Sequence, residues 1–291
     1  MILDSDLIMV AFGYHGSAFH GSQVQPVVET VQGNLIKALK SLKWWSEGCL
    51  KISSRTDAGV SARMNLATIK LPNEIAGKID PILVKNAINH NTPEEIVVWG
   101  GFRVPPDTRS RFAISRTYFY HCGVIPSWPK EVDIIEFKEM CSVVIGRHDF
   151  TNLCRNDPDR SPIRTIDSCE PWVDPNGRII GFSVKAESFL WNQIRRIAAA
   201  FDSILSGKIL LKDLQKALDE PQFRVDFGRA PSDGLILWTI EHESIKSFSN
   251  LPEFIEIIPK DINESKRADE RLNSLSKLEI STLLEREWLN L

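Results

Sequence analysis

The chain has 291 residues, of which 43% are hydrophobic and 25% charged, with a formal net charge of −3. That length supports about two domains with substantial cores, and the balance is that of a globular protein rather than a globally basic nucleic-acid binder. No apolar run approaches the roughly 18 residues of a membrane helix, and the acidic start Met1-Ile2-Leu3-Asp4-Ser5-Asp6 is unlike a signal peptide, so a cytoplasmic location is expected.

Leu7–Phe12 is a compact apolar run that predicts a buried strand ending at Gly13. Residues 13–23 hold three glycines and two aromatics, the composition of a structured loop. Thr30 is placed to cap a helix whose inner face carries Val31, Leu35, Leu39 and Leu42. Leu50-Lys51-Ile52 and Met64–Leu71 alternate as strands do, and between them lies Ser53-Ser54-Arg55-Thr56-Asp57-Ala58-Gly59. Asp57 is thus a carboxylate on an exposed connection among small residues that leave room for a ligand. The residues alone allow two roles, a polar turn in which Asp57 caps backbone amides or a reactive carboxylate. Asp80-Pro81 opens a second helix, and Ile96–Trp99 is a short strand. Strand, helix, strand, strand, helix, strand is the rhythm of the split β-α-β unit.

Pro105-Pro106 marks a boundary near 105–110. Beyond it, Ser115–Cys122 alternates with Tyr118 and Tyr120 on one face and Phe119 and His121 on the other. A helix is expected from Asp133 to about Ile145, a polar loop over 151–164, and a hairpin turn at Pro175-Asn176-Gly177 between Cys169–Val173 and Ile179–Ala186. Ser188–Phe201 is predicted as one helix, Leu211 to about Asp219 as another, and Gly234–Ile240 as a closing strand. Helical periodicity around Leu272, Leu275, Leu278 and Leu283 suggests an accessory tail packed on the body or on a partner. The predicted organisation is α+β: an N-terminal half over 1–107, a C-terminal half over 108–247, and a helical tail over 248–291.

The five cysteines are widely spaced without a C-x-x-C pair and read as neutral thiols. The six histidines have no metal-ligand spacing, and no P-loop or G-x-G-x-x-G occurs, so neither a metal nor a nucleotide cofactor is expected. Residues 241–291 carry 11 acidic and 7 basic side chains, which leaves residues 1–240 at +1. Within that part Arg103, Arg109, Arg111 and Arg116 crowd together, followed by Arg155, Arg160, Arg164, Arg195 and Arg196. Such clusters suit either a local phosphate-binding groove or a solvated surface.

Seven segments in register resemble the TruA family of tRNA pseudouridine synthases. The Y-x-G-x-x-F-x-G-x-Q loop has Tyr14, Gly16, Phe19, Gly21 and Gln23, and T-V-Q-G-x-L is Thr30–Leu35. The signature G-R-T-D-A-G-V-H-A is Ser54–Ala62, and A-R-x-Y-x-Y is Ser115–Tyr120. S-P-x-R-T-I stands at Ser161–Ile166, F-L-x-x-x-x-R at Phe189–Arg195, and A-P-x-x-G-L at Ala230–Leu235. The resemblance runs from about residue 7 to 240 and leaves the tail outside; the spelling Trp191-Asn192-Gln193 is closer to the archaeal and eukaryotic branches. Ser54 and Ser61 replace the usual glycine and histidine, which questions the backbone geometry at Ser54 and a catalytic job at position 61.

The resemblance implies two ferredoxin-like halves with antiparallel sheets flanking a central cleft. It also implies a cofactor-free isomerase acting on uridines 38–40 of the tRNA anticodon stem-loop, as a homodimer. Asp57 would be the nucleophile, Arg195 the cation that keeps it ionised, and Tyr118 the active-site tyrosine that stacks on uracil and helps move a proton. Arg55 would fill the space vacated by the extruded base. Arg109, Arg111 and Arg116 would contact substrate, with the loop 151–164 also gripping phosphates.

Overall fold

The computed structural model describes residues 7–245, 248 and 266–289, with backbone alone over 266–271. The described residues form an α+β protein with nine strands and six α-helices. In chain order these are β1 (Leu7–Tyr14), α1 (Val31–Ser41), β2 (Leu50–Ile52), β3 (Ser61–Lys70), α2 (Pro81–His90), β4 (Ile96–Arg103) and β5 (Ser115–His121). Then follow α3 (Ile134–Val143), β6 (Gly146–Asp149), β7 (Ile163–Val173), β8 (Ile179–Ala186), α4 (Gln193–Leu205), α5 (Leu211–Asp219), β9 (Leu235–Glu241) and α6 (Lys266–Leu289). Two compact units emerge, one from the described residues within Met1–Ile114, Ile236–Leu251 and Leu284–Leu291, the other from those within Ser115–Leu235 and Pro252–Leu283.

In the first unit β1 lies between β4 and β3, antiparallel to both. The other edge of β3 is shared: β2 pairs antiparallel with Ala67–Ile69, and β9 pairs in parallel with Ser61 and Ala62. Thr30 caps α1 by accepting from the Gly33 amide, and Val31, Leu35, Ala38 and Leu39 are buried as the spacing predicts; Leu42 falls just past the helix end. Asp80 caps α2 ahead of Pro81. β4 runs four residues beyond the predicted Trp99, across Gly100-Gly101, opposite a register shift in β1 between Ala11 and Phe12.

Alternation along β3 does not translate into a wet face. Ser61, Arg63, Asn65 and Thr68 are as buried as the apolar residues between them. Arg63 is fully buried, with its guanidinium 4.8 Å from the Trp238 ring and Nε donating to Glu287 at 2.7 Å. The Trp288 indole packs against Gly13 and donates to the Arg63 carbonyl. An arginine in such a place needs its carboxylate, because an unpaired buried charge is far more costly than a paired one.

In the second unit the strand order is β5-β8-β7-β6, all antiparallel. Phe119 and His121 meet Trp172 while Tyr120 stacks on Phe182, the alternation read from sequence. β6 has no sequence signal: Gly-Arg-His-Asp is polar, and it is a strand because it pairs with Ile163–Ile166, which the sequence placed partly in a loop. α4 starts at Gln193, five residues later than predicted. Asn192 is left-handed at φ 63°, and the Gln193 Oε1 accepts from the Leu190 amide, so residues 188–192 leave β8 as a pinned turn.

α6 is rotated relative to the expected leucine stripe. Leu278 is 58% exposed, and the buried positions are Ser276, Glu279, Ile280, Leu283, Leu284, Glu287 and Trp288. Within the second unit, Asn273 donates to the Val124 carbonyl and Glu279 lies 3.1 Å from the buried His121. Residues 249–265 of the expected tail lie outside the described residues. No helix among the described residues is long and apolar enough to cross a membrane.

Candidate active site

Asp57 sits in the first unit on the turn between β2 and β3, half-buried, with its carbonyl accepting from the Val60 amide at 3.2 Å. The loop over residues 13–23 explains why the turn has a fixed shape. The Ser22 amide donates to the Thr56 carbonyl at 3.1 Å, and the Thr56 amide returns a bond to Ser22 Oγ at 2.8 Å. The Tyr14 hydroxyl lies 2.8 Å from Thr56 Oγ1, and the Gly16 amide donates to Ser61 Oγ at 3.0 Å. Gly16 passes so close that a Cβ there would clash with the Val60 carbonyl. Gly21, at φ +96°, lies against Thr56 in a conformation that side-chain-bearing residues avoid. The start of α1 closes the arrangement, its Val31 and Gln32 amides donating to the Gly21 and Ser22 carbonyls.

Asn65 holds the other side. Fully buried on β3, it accepts from the Ser54 and Leu66 amides at 3.2 and 2.8 Å and donates to the Ser54 carbonyl at 2.8 Å. Ser54 needs no glycine geometry: the described non-glycine residues with positive φ are Val27, Lys43 and Asn192. Ser61 Oγ serves the loop by accepting from the Gly16 amide. Burial raises the Tyr14 phenol to about 12, with the hydrogen bonds to Thr56 and Asn65 acting in the opposite sense. Ser22, Tyr14 and Asn65 were not singled out from sequence as supports of the Asp57 turn. The polar residues that alternate along β3 gave no signal that separated Asn65 from Ser61, Arg63 and Thr68.

Arg55, two residues before Asp57, is exposed. Arg109 and Arg111 are exposed in the same unit, the Arg109 guanidinium lying 5.4 Å from the Phe112 ring. Arg103, from the same cluster, donates to the Ile79 carbonyl.

The second unit holds the other predicted residues. Tyr118 on β5 is 7% exposed, with its ring edge-on to Phe189 at 5.3 Å. Arg195 on α4 is 9% exposed, so it is not a helix-surface arginine. Its Nε donates to the Ala230 carbonyl at 2.9 Å, and the Ala230 amide donates to the Arg195 carbonyl at 3.0 Å. Residues 230–235 are tied further by the Tyr120 hydroxyl, which donates to the Pro231 carbonyl, and by the His121 amide, which donates to Gly234. Burial, with Cys122 adding to it, pushes the Tyr120 phenol well above its usual range while Arg195 pulls it down. Arg116 is buried and donates to the Glu187 carbonyl. In the loop 151–164, Arg160 pairs with Asp157 at 3.3 Å and Arg164 donates to the Ser161 carbonyl.

A family model described as tRNA pseudouridine synthase matches residues 140–243. A tRNA pseudouridine synthase A of Thermococcus sibiricus is 34% identical over 245 residues, covering 82% of this chain and 86% of the relative. The enzyme of that name from Methanosarcina barkeri is 34% identical over 81% of this chain and 84% of its own. The one from Methanosphaera stadtmanae is 29% identical over 93% of this chain and 98% of its own. A span of 93% cannot be reached without passing residue 245, so similarity extends into the tail that the motifs had left outside. The chain belongs to the tRNA pseudouridine synthase family, isomerases that act on tRNA.

Proposed function

We propose that this chain converts uridine to pseudouridine in the tRNA anticodon stem-loop, at positions 38–40, with Asp57 as the nucleophile. The observation that carries this is the Asp57 turn: its backbone is fixed from two sides, by Ser22 and Tyr14 and by Asn65, while Asp57 itself is only half-buried. A turn that merely joined two strands would not need a second loop and a buried amide to hold it. Preorganisation of this kind is what a reacting carboxylate requires.

The reaction breaks the C1′–N1 glycosidic bond, turns the uracil and joins C1′ to C5. The Asp57 carboxylate serves by adding to C6 of the ring or to C1′ of the ribose, and either covalent bond is broken again when the product forms. The proton on C5 is lost to solvent, and one returns to N1. In this reading Tyr118 stacks on the base and moves a proton, and Arg195 keeps the carboxylate ionised. Arg55, exposed beside Asp57, takes the place of the base that leaves the stack. Exposed Arg109 and Arg111 meet phosphates; Arg116, being buried, has the least access to RNA of the four arginines assigned to substrate. The enzyme works as a cytoplasmic homodimer in the same reading.

Tritium release from tRNA labelled at C5 of uridine tests the proposal. Wild-type protein releases tritium and Asp57→Ala does not, while its tRNA affinity stays within a few-fold. Release by Asp57→Ala overturns the nucleophile, and none by wild type on anticodon-loop substrates overturns the target.

A further inference from the structure

The second unit contains a cleft of about 380 Å³ between the loop that follows Cys154, Leu190 ahead of α4, and Arg224. Three arginines line it, Arg155, Arg160 and Arg224, against one carboxylate, Asp157. Arg160 shares that carboxylate at 3.3 Å, with both side chains more than 40% exposed. Arg155 and Arg224 have no carboxylate partner among the described residues.

Arginines outnumber carboxylates around it as well. Burial raises the Cys154 thiol, Arg196, Arg164 and Arg224 act against that rise, and Asp149 adds to it. Burial, followed by repulsion from Arg160, lowers the Arg164 guanidinium. Trp191, which follows the lining residue Leu190, is 49% exposed. The Arg155 guanidinium lies 3.8 Å from its ring centre, and the Arg155 amide donates to the Trp191 carbonyl at 2.8 Å. An exposed indole braced by a stacked arginine is a rigid apolar plane beside unpaired cations. Base-stacking surfaces of nucleic-acid-binding proteins combine these two features. The volume is at the small end of ligand sites and suits one nucleotide rather than a duplex.

We propose that this cleft is a single-nucleotide subsite for tRNA, in which Arg155 and Arg224 hold one backbone phosphate and Trp191 stacks the adjoining base. The proposal rests on the tRNA reading above and adds to it a contact that fixes where the RNA lies on the second unit. It does no chemistry, so its loss weakens capture of the substrate and spares turnover.

The test is steady-state tritium release across a series of salt concentrations with wild type, Arg224→Gln, Trp191→Leu, Trp191→Phe and, as a control, Arg147→Gln, which removes an exposed arginine from the same unit outside the cleft. Arg224→Gln is expected to raise KM and to reduce the slope of log KM against log salt by about 0.7–0.9, the share of one phosphate contact. Trp191→Leu is expected to raise KM about tenfold with the salt slope unchanged, and Trp191→Phe to recover most of it. kcat stays within twofold in all, and Arg147→Gln behaves as wild type. If Arg224→Gln keeps the wild-type KM and slope, or Arg147→Gln matches its loss, the subsite is overturned while the enzyme reading stands. Wild-type protein inactive on every tRNA overturns both.

Discussion

Asn65→Leu tests whether the Asp57 turn is held from β3. Leucine keeps the branched arrangement of asparagine's four side-chain heavy atoms, so no cavity results, while every polar atom of the side chain is removed. The Ser54 and Leu66 amides and the Ser54 carbonyl all lose the hydrogen bonds that Asn65 supplies. Each such bond contributes about 0.5–1.5 kcal/mol, so the three together contribute about 1.5–4.5 kcal/mol. Ser54 is three residues from Asp57, and a displacement of about 1 Å at a reacting group lowers turnover on the order of 100-fold. Urea unfolding measures the first effect and single-turnover tritium release at saturating tRNA the second, with tRNA affinity expected within a few-fold of wild type. A stability change below about 0.5 kcal/mol with an unaltered single-turnover rate would refute this account of the turn.

Arg195→Lys keeps a charge but loses the Nε bond to the Ala230 carbonyl, so the single-turnover rate should fall about tenfold or more with affinity within threefold; an unchanged rate removes Arg195 from the catalytic set. Glu287→Ala leaves Arg63 buried without its carboxylate and should cost about 3–5 kcal/mol, whereas Arg63→Met with Glu287→Met should recover most of it; an unchanged urea midpoint in Glu287→Ala contradicts the pair. The Tyr14 phenol is neutral in the folded state up to about 12 but ionises near 10 when unfolded, so its contribution is complete below pH 10 and is lost as pH rises towards 12. Over that window, stability of the wild type should fall more steeply than that of Tyr14→Phe, and parallel curves would contradict the shift.

What could be read from the sequence followed from local rules. Thr30 and Asp80 cap helices because their side chains reach amides two or three residues on, a relation fixed by chain geometry alone. The 115–121 alternation holds because strand side chains alternate whatever they pack against. Motif order identified the family, and spacing placed Asp57 on a turn between strands. Other features depended on partners distant in the chain. β6 is a strand only because β7 offers its edge, and α4 starts late because Asn192 and Gln193 form a turn that helical periodicity cannot reveal. α6 buries Glu279 beside His121 and Glu287 beside Arg63, pairings with residues distant in the chain that leucine periodicity cannot reveal. The sequence alone showed that Tyr14, Gly16 and Gly21 belong to a family pattern. The tertiary structure supplied the reason: these residues and Asn65 enclose the backbone that carries Asp57, and hydrogen bonds spanning 11 to 45 residues are invisible to any local reading.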